Sequence, residues 1–157
     1  MNKKRKDTKH KRYLLILSCS KQKKRLSEVS AIELYDGPFY RMVRKSGLTN
    51  LDIFIISAKY GLISAYDTIS YYNQVMSVQR AKELAEGVKL KLERALENNG
   101  YGEIFINLGK TYALALENSK KVLSDYNVYW ARGQIGERLN QLKRWLSKIN
   151  LQRGGNL

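Results

Sequence analysis

Three short, uninterrupted apolar runs constrain the fold of this chain more than any other feature of its sequence. The runs occupy residues 13–17, 54–56 and 104–106, and longer stretches with helical spacing of apolar residues lie between and after them. An apolar run of this length is typical of a strand that is covered on both faces of a sheet. Strands that alternate with helices predict a mainly parallel sheet with helices on both faces.

The predicted fold is an α/β single domain with a mainly parallel sheet of about four strands, and the length of 157 residues suits one domain. Residue spacing predicts strands near 13–18, 52–58, 103–107 and 126–130, and helices near 38–46, 78–98, 111–123 and 134–149. We expect a basic disordered tail at 1–12, the α/β domain at 13–150 and a frayed tail at 151–157.

Cysteine and histidine each occur once in the chain, as Cys19 and His10. A single cysteine rules out an internal disulfide. The usual metal-ligand sets cannot be assembled without clustered carboxylates, so we expect neither a metal nor another cofactor. No apolar run approaches the length of a membrane span or resembles a signal peptide, which predicts a cytoplasmic protein with no membrane partner.

The formal net charge of +15 points to an anionic partner. Residues 1–12 contain seven Lys and Arg against one Asp, and residues 21–25 contain four Lys and Arg. Such clusters attract phosphate backbones through the release of counterions. A solubilising, lysine-rich surface is the alternative interpretation. The expected nucleic-acid contacts are Lys3, Lys4, Arg5, Lys6, Lys23, Lys24 and Arg25.

Polar residues and a glycine lie at the ends of the first two predicted strands. After the first strand come Ser18, Cys19, Ser20 and Lys21. After the second come Ser57, Lys59, Tyr60 and Gly61. Ligands of open α/β sheets bind outside the carboxyl ends of the strands. The two strand ends therefore predict one electropositive pocket that binds an anion or a carbonyl group.

Several of these side chains are candidates for chemistry. A desolvated Lys21 or Lys59 would serve as an acid or a nucleophile, whereas the alternative is two solvated loop lysines. Cys19 is a candidate nucleophile beside lysines, or simply a buried cysteine. A Cys–His pair is excluded by the position of His10 in the tail. The serines either donate hydrogen bonds to the ligand or cap the following turns.

The long connection after the second strand contains one carboxylate, Asp67, followed by Tyr71, Tyr72 and Asn73. Long loops in compact domains are often functional. Tyrosine can stack on a base, an amide can bond to a base edge and a carboxylate can activate water, so these residues suit base recognition. Tyr35, beside a Gly-Pro turn, is expected to approach the same pocket. The alternative is that the tyrosines surround the core.

Four segments resemble, in order and spacing, an uncharacterised family of small bacterial, archaeal and phage proteins. The segments are Leu17-Ser-Cys-Ser-Lys21, Ala31-Ile-Glu-Leu-Tyr-Asp-Gly-Pro-Phe39, Ile56-Ser-Ala-Lys-Tyr-Gly-Leu62 and Tyr71-Tyr-Asn-Gln-Val-Met76. That family is more distantly similar to the YaaA-type peroxide-stress proteins and to the core domain of archaeosine synthase. The resemblance implies a nucleobase or nucleic-acid context and a uracil-DNA-glycosylase-like α/β layout.

The first functional hypothesis is an enzyme that processes nucleic acid or nucleobases, with chemistry of the base-excision or the tRNA or DNA base-modification type. A non-catalytic DNA- or RNA-binding protein is the alternative, because charge alone suffices for it. A sensor of a nucleotide-type small molecule is the third. The expected partners are nucleic acid and a nucleobase or nucleotide ligand.

Overall fold

The predicted alternation of strands and helices produces a mixed, mainly parallel sheet in the computed structural model, which describes residues 11–154 and their side chains up to residue 151. Residues 11–154 contain seven strands: β1 (Arg12–Ser18), β2 (Val29–Ser30), β3 (Leu51–Ser57), β4 (Gly61–Ser64), β5 (Thr68–Ile69), β6 (Tyr101–Asn107) and β7 (Val128–Trp130).

The main sheet has the order β4-β3-β1-β6-β7, with β1 at its centre. Strand β1 pairs in parallel with β3 and β6, and β6 pairs in parallel with β7, so four carboxyl ends meet at one edge of the sheet. Strand β4 is antiparallel to β3. The short strands β2 and β5 form a separate antiparallel pair.

The helices are α1 (Ala31–Leu34), α2 (Pro38–Ser46), α3 (Val78–Asn98), α4 (Lys110–Ala113), α5 (Lys120–Leu123) and α6 (Ile135–Gly154), with a 3₁₀ helix at Leu114–Ser119. Local signals set several of these ends. Pro38 occupies the first turn of α2, and Gly47 ends it in the left-handed conformation with a φ of 63°. The Ser77 side chain caps α3 by accepting a hydrogen bond from the Arg80 backbone N–H.

Alternate residues of β1 enter two different hydrophobic cores, as expected of a strand covered on both faces. Leu15 and Leu17 face the core that includes Leu142 and Trp145 of α6. Leu14 and Ile16 face the opposite core, to which α3 and the 3₁₀ helix contribute. Helices α2 and α6 therefore cover one face of the sheet, and α3 covers the other.

The structure confirms the α/β single domain with a mainly parallel sheet and helices on both faces. The structure also contains strand β4, which was not predicted. The chain turns back after β3 at Gly61, whose φ of 76° is a left-handed conformation that favours glycine. The segment predicted as one helix over 111–123 is divided by the 3₁₀ helix. Strand β1 begins at Arg12, and α6 ends at Gly154. The predicted contacts Lys3, Lys4, Arg5 and Lys6 lie outside the described residues.

Among the described residues, no helix is both long enough and apolar enough to cross a membrane.

Candidate functional site

A set of polar side chains gathers at the carboxyl edge of the sheet, on the face that α2 and α6 cover. Strand register places Leu17 beside both Ile55 and Asn107, so the ends of β3, β1 and β6 lie side by side. We call this set the strand-end cluster, and it consists of Cys19, Lys23, Tyr35, Ser57, Tyr72, Asn107, Tyr112 and Arg138.

Ser57 joins the strand-end cluster to the turn that follows β3. Its side chain is fully buried, and its Oγ accepts hydrogen bonds from the backbone N–H groups of Lys59 at 3.1 Å and Tyr60 at 3.0 Å. The same oxygen lies 2.9 Å from Tyr72 Oη. Ser57 therefore fixes the turn that leads into β4 and attaches Tyr72 to the end of β3.

Three tyrosine hydroxyls extend this network. Tyr35 Oη lies 2.6 Å from Tyr72 Oη, and Tyr112 Oη lies 3.0 Å from the Sγ of the buried Cys19. Burial raises the pKa of Tyr35, Tyr72 and Tyr112 well above the usual range, and Cys19 raises it further. The phenols stay protonated at neutral pH and can donate hydrogen bonds.

Lys23 lies against this network, although the sequence predicted it only as a nucleic-acid contact. Its Nζ is 4.7 Å from the centroid of the Tyr72 ring, and an isolated β-bridge pairs its backbone with Tyr35. Burial lowers the pKa of Lys23, and Cys19 opposes this effect. The structure thus places an amine with a reduced proton affinity at the strand-end cluster.

Asn107 and Arg138 complete the cluster, and sequence reasoning missed both. Arg138 Nη1 donates to Asn107 Oδ1 at 2.7 Å, and its guanidinium lies 5.4 Å from the centroid of the Phe39 ring. Burial lowers the pKa of Arg138. Asn107 is 1% exposed, and its Nδ2 has no hydrogen-bond partner among the described residues. The asparagine that directly follows the third apolar run, 104–106, was the sequence signal that could have identified this site.

Gly37, in the segment 31–39, allows α2 to approach the end of β1. A Cβ atom on Gly37 would lie 2.7 Å from Ser20 Oγ, so only glycine fits against that side chain without movement. Tyr40 of α2 donates from Oη to the Ser18 carbonyl oxygen at 2.6 Å. The segments 17–21 and 31–39 therefore lie directly against each other.

Other predicted site residues lie around the cluster rather than inside it. Lys21 is exposed, and Lys59 is exposed with its Nζ 5.3 Å from the Tyr60 ring centroid. Ser20 Oγ accepts from the Gln22 backbone N–H. Lys24, Arg25 and Asn73 are exposed, and Tyr71 is half-buried beneath the Arg25 guanidinium.

Asp67 lies in the turn between β4 and β5. Its exposed carboxylate accepts a hydrogen bond from the Ser64 backbone N–H at 2.9 Å. Ser64 pairs with Phe54, three residues before Ser57. At about 3.3 Å per residue this turn is ~10 Å from the end of β3. The structure does not bring Asp67 into the strand-end cluster.

Residues 11–154 contain no group of three or more His, Cys, Asp and Glu side chains that could hold a metal ion.

The fold and the candidate site define a class: an open α/β sheet with a buried polar cluster at the carboxyl edge of its parallel strands. The chain belongs to a family of unknown function (DUF6884), whose model matches residues 14–144. This confirms the prediction of an uncharacterised family. The similarities to YaaA-type proteins and to archaeosine synthase stay predictions.

A structure described as the crystal structure of AF0587, a protein of unknown function, is similar to this chain with a TM-score of 0.55. The two sequences are 16% identical, and the match covers 85% of this chain and 44% of that chain. The chain therefore spans less than half the length of that protein. At this level of sequence identity, the likeness shows the fold alone. No curated protein gives a match.

Proposed function

We propose that the strand-end cluster binds a nucleobase, and that the protein is an enzyme that excises or modifies bases of nucleic acid. The observation that carries the proposal is the buried Nδ2 of Asn107, which has no acceptor among the described residues. Buried polar groups are nearly always satisfied. A ring nitrogen or carbonyl oxygen of a base is an acceptor that would satisfy it, and asparagine is a common partner of base edges.

The cations of the cluster support a ligand with electron-rich oxygen or nitrogen atoms. The pKa values of Lys23 and Arg138 are both lowered by burial, so the protein around them does not fully replace their lost hydration. A carbonyl or anionic group would offset that cost. Lys23 is also the proposed proton donor or acceptor, since its Nζ lies against the Tyr72 ring in the cluster and burial lowers its pKa.

The predicted candidates Cys19, Ser57, Tyr35 and Tyr72 form the polar wall of this proposed site. Lys21 and Lys59 are exposed, and their proposed role is therefore contact with phosphate groups. Residues 11–154 contain 24 Lys and Arg against 13 Asp and Glu. That excess of positive charge supports a base within a nucleic acid over a free base.

Binding is tested first, with the full chain. Thermal denaturation is followed with each free nucleobase and mononucleotide, and fluorescence polarisation with labelled single-stranded DNA, duplex DNA and structured RNA over a salt series. At least one base should raise the midpoint of unfolding, and Asn107→Leu should abolish that rise. The proposal is wrong if no base or nucleotide binds, or if Asn107→Leu binds as the wild type does.

Catalysis is tested by incubating the protein with each bound nucleic acid and analysing its nucleosides by mass spectrometry. The expected result is an abasic site or a base of altered mass that Lys23→Met no longer produces. Ser119→Ala is the control for a buried side chain: like Asn107 Nδ2, Ser119 Oγ has no hydrogen-bond partner among the described residues, but it belongs to the 3₁₀ helix on the opposite face of the sheet. An unaltered nucleic acid under all conditions would contradict the enzymatic part.

A non-catalytic nucleic-acid-binding protein is the second candidate, and the exposed Lys24 and Arg25 favour it. Under this reading, neutral substitutions at Lys24 and Arg25 weaken nucleic-acid binding, whereas Asn107→Leu and Lys23→Met leave it unchanged.

A further inference from the structure

A second surface lies at the outer edge of the sheet, where α6 passes over β6 and β7. It is an open groove of about 340 Å³, which we call the edge groove. Its lining includes Phe105, Tyr129, Trp130, Arg144, Trp145 and Lys148. Both tryptophans of the chain are in this lining. The strand-end cluster does not use any of these residues.

The aromatic rings of the edge groove differ in exposure. Trp145 is buried at 5% exposure and packs against Phe105 with ring centroids 5.1 Å apart. Tyr129 and Trp130, on the short edge strand β7, are 42% and 36% exposed. Successive residues of a strand point to opposite faces, so Tyr129, beside Phe105, faces α6 and the groove, whereas Trp130, beside Ile106, borders the groove from the opposite face. A flat ring left partly open is suited to stacking on a base, and such stacking tolerates any sequence.

Cations accompany the exposed rings. Arg144 is exposed beside the groove, and Lys148 Nζ lies 4.8 Å from the Tyr129 ring centroid. The carboxylate beneath the groove, Glu103, is nearly buried and is bonded to Trp145 Nε1 at 2.9 Å and to Lys148 Nζ at 3.0 Å. The sequence of α6 contains five Lys and Arg and one acidic residue. Glu103 offsets the charge of Lys148, so Arg144 supplies the positive charge that would attract an anionic ligand.

We propose that the edge groove binds single-stranded nucleic acid, with Tyr129 stacking on a base and Arg144 contacting phosphate. This inference rests on the proposed function for the class of its partner. Helix α6 contributes Arg138 to the strand-end cluster and Trp145 to the edge groove. Trp145 lies seven residues, or ~10 Å, further along the helix. Nucleotides next to a base bound in the strand-end cluster would then lie in the edge groove.

Intrinsic tryptophan fluorescence of the full chain tests the proposal directly, since both reporters line the groove. The probes are an oligothymidylate of about twelve nucleotides, the corresponding duplex, thymidine monophosphate and inorganic polyphosphate. We expect the single strand to quench the fluorescence more strongly than the other three probes. Tyr129→Ala, read out through both tryptophans, is expected to weaken binding about tenfold. Arg144→Ala is expected to reduce the slope of the logarithm of the binding constant against the logarithm of the salt concentration by about one.

Tyr66→Ala is the matched control, because Tyr66 is an exposed tyrosine at 67% on the β4–β5 turn, away from the groove. It should bind as the wild type does. Equal quenching by polyphosphate or by duplex would overturn the proposal, as would unchanged affinity of Tyr129→Ala. Asn107→Leu separates the two proposals: it should abolish the response to free bases and keep the quenching by oligothymidylate. Failure of either readout then identifies which site is wrong.

Discussion

Arg138 Nη1 donates to Asn107 Oδ1 across 2.7 Å, between residues that are 31 positions apart in the chain. Because arginine can only donate, the atom that faces it must be the amide oxygen, and this fixes the orientation of the side chain. The amide nitrogen then points elsewhere, buried and without a partner among the described residues. The pair thus fixes the direction of a buried donor at the end of β6.

Asn107→Leu should separate binding from stability. Removing a buried unsatisfied donor saves its desolvation cost, whereas Arg138 loses an acceptor but is only half-buried and can be hydrated. We expect the free energy of unfolding to change by less than about 1 kcal/mol, and base binding to be lost. Chemical denaturation gives the first quantity, and the thermal shift with a base gives the second. A large loss of stability would mean that Asn107 has a structural role instead.

Ser57→Ala should destabilise the fold by about 1–3 kcal/mol, because two backbone N–H groups and the Tyr72 hydroxyl lose a fully buried partner. Urea denaturation measures the effect. Ser64→Ala is the control, since Ser64 Oγ also accepts from a backbone N–H but at an exposed turn. If the two substitutions lowered the free energy of unfolding equally, the burial of Ser57 would not be the reason for its effect.

Tyr72→Phe should make the protein less sensitive to alkali. Burial raises the pKa of Tyr72 above its usual value of 10, so the unfolded chain loses this proton at a pH where the folded chain retains it. The resulting stability is complete below pH 10 and is lost as pH rises above it. The free energy of unfolding, measured between about pH 8 and 11, should fall less steeply in Tyr72→Phe. Parallel curves for variant and wild type would contradict this prediction.

Lys23 should make the stability of the wild type depend on pH in the opposite direction, and Lys23→Met should remove that dependence. Burial lowers the pKa of Lys23, so in the folded state its charged form is penalised, and the penalty is relieved as pH rises from the lowered pKa to 10.5. Methionine keeps the apolar stem without the charge. We expect Lys23→Met to be more stable than the wild type at neutral pH, with the difference narrowing toward pH 10.5. Lys24→Met, at an exposed neighbouring position, should show no such difference in denaturation experiments.

Apolar runs and helical spacing were sufficient to predict the layers of the fold. Strands covered on both faces have a local signature, which is why β1, β3 and β6 were found. Strand β4 was missed because Gly61–Ser64 is only four residues long, too short for a periodic pattern. Its position depends on pairing with β3, which no local pattern records.

The edge of the sheet that holds the candidate site was also predictable, because parallel strands place their carboxyl ends together. The side chains that meet there were only partly predictable. Cys19, Ser57, Tyr35 and Tyr72 were named from the sequence, whereas Tyr112, Asn107 and Arg138 were not. Lys23 was named as a surface contact, while Lys21 and Lys59 were preferred for chemistry.

The sequence by itself determined which segments form strands and helices, since apolar periodicity and turn residues are local properties. Only the tertiary structure decided which polar side chains share the site. Tyr35 and Tyr72 are 37 residues apart, and their hydroxyls meet at 2.6 Å because α1 and the loop before α3 both pass over the end of β3. The path of a loop and the packing of a helix on a sheet depend on contacts between distant segments, and neither is encoded in the spacing of neighbouring residues.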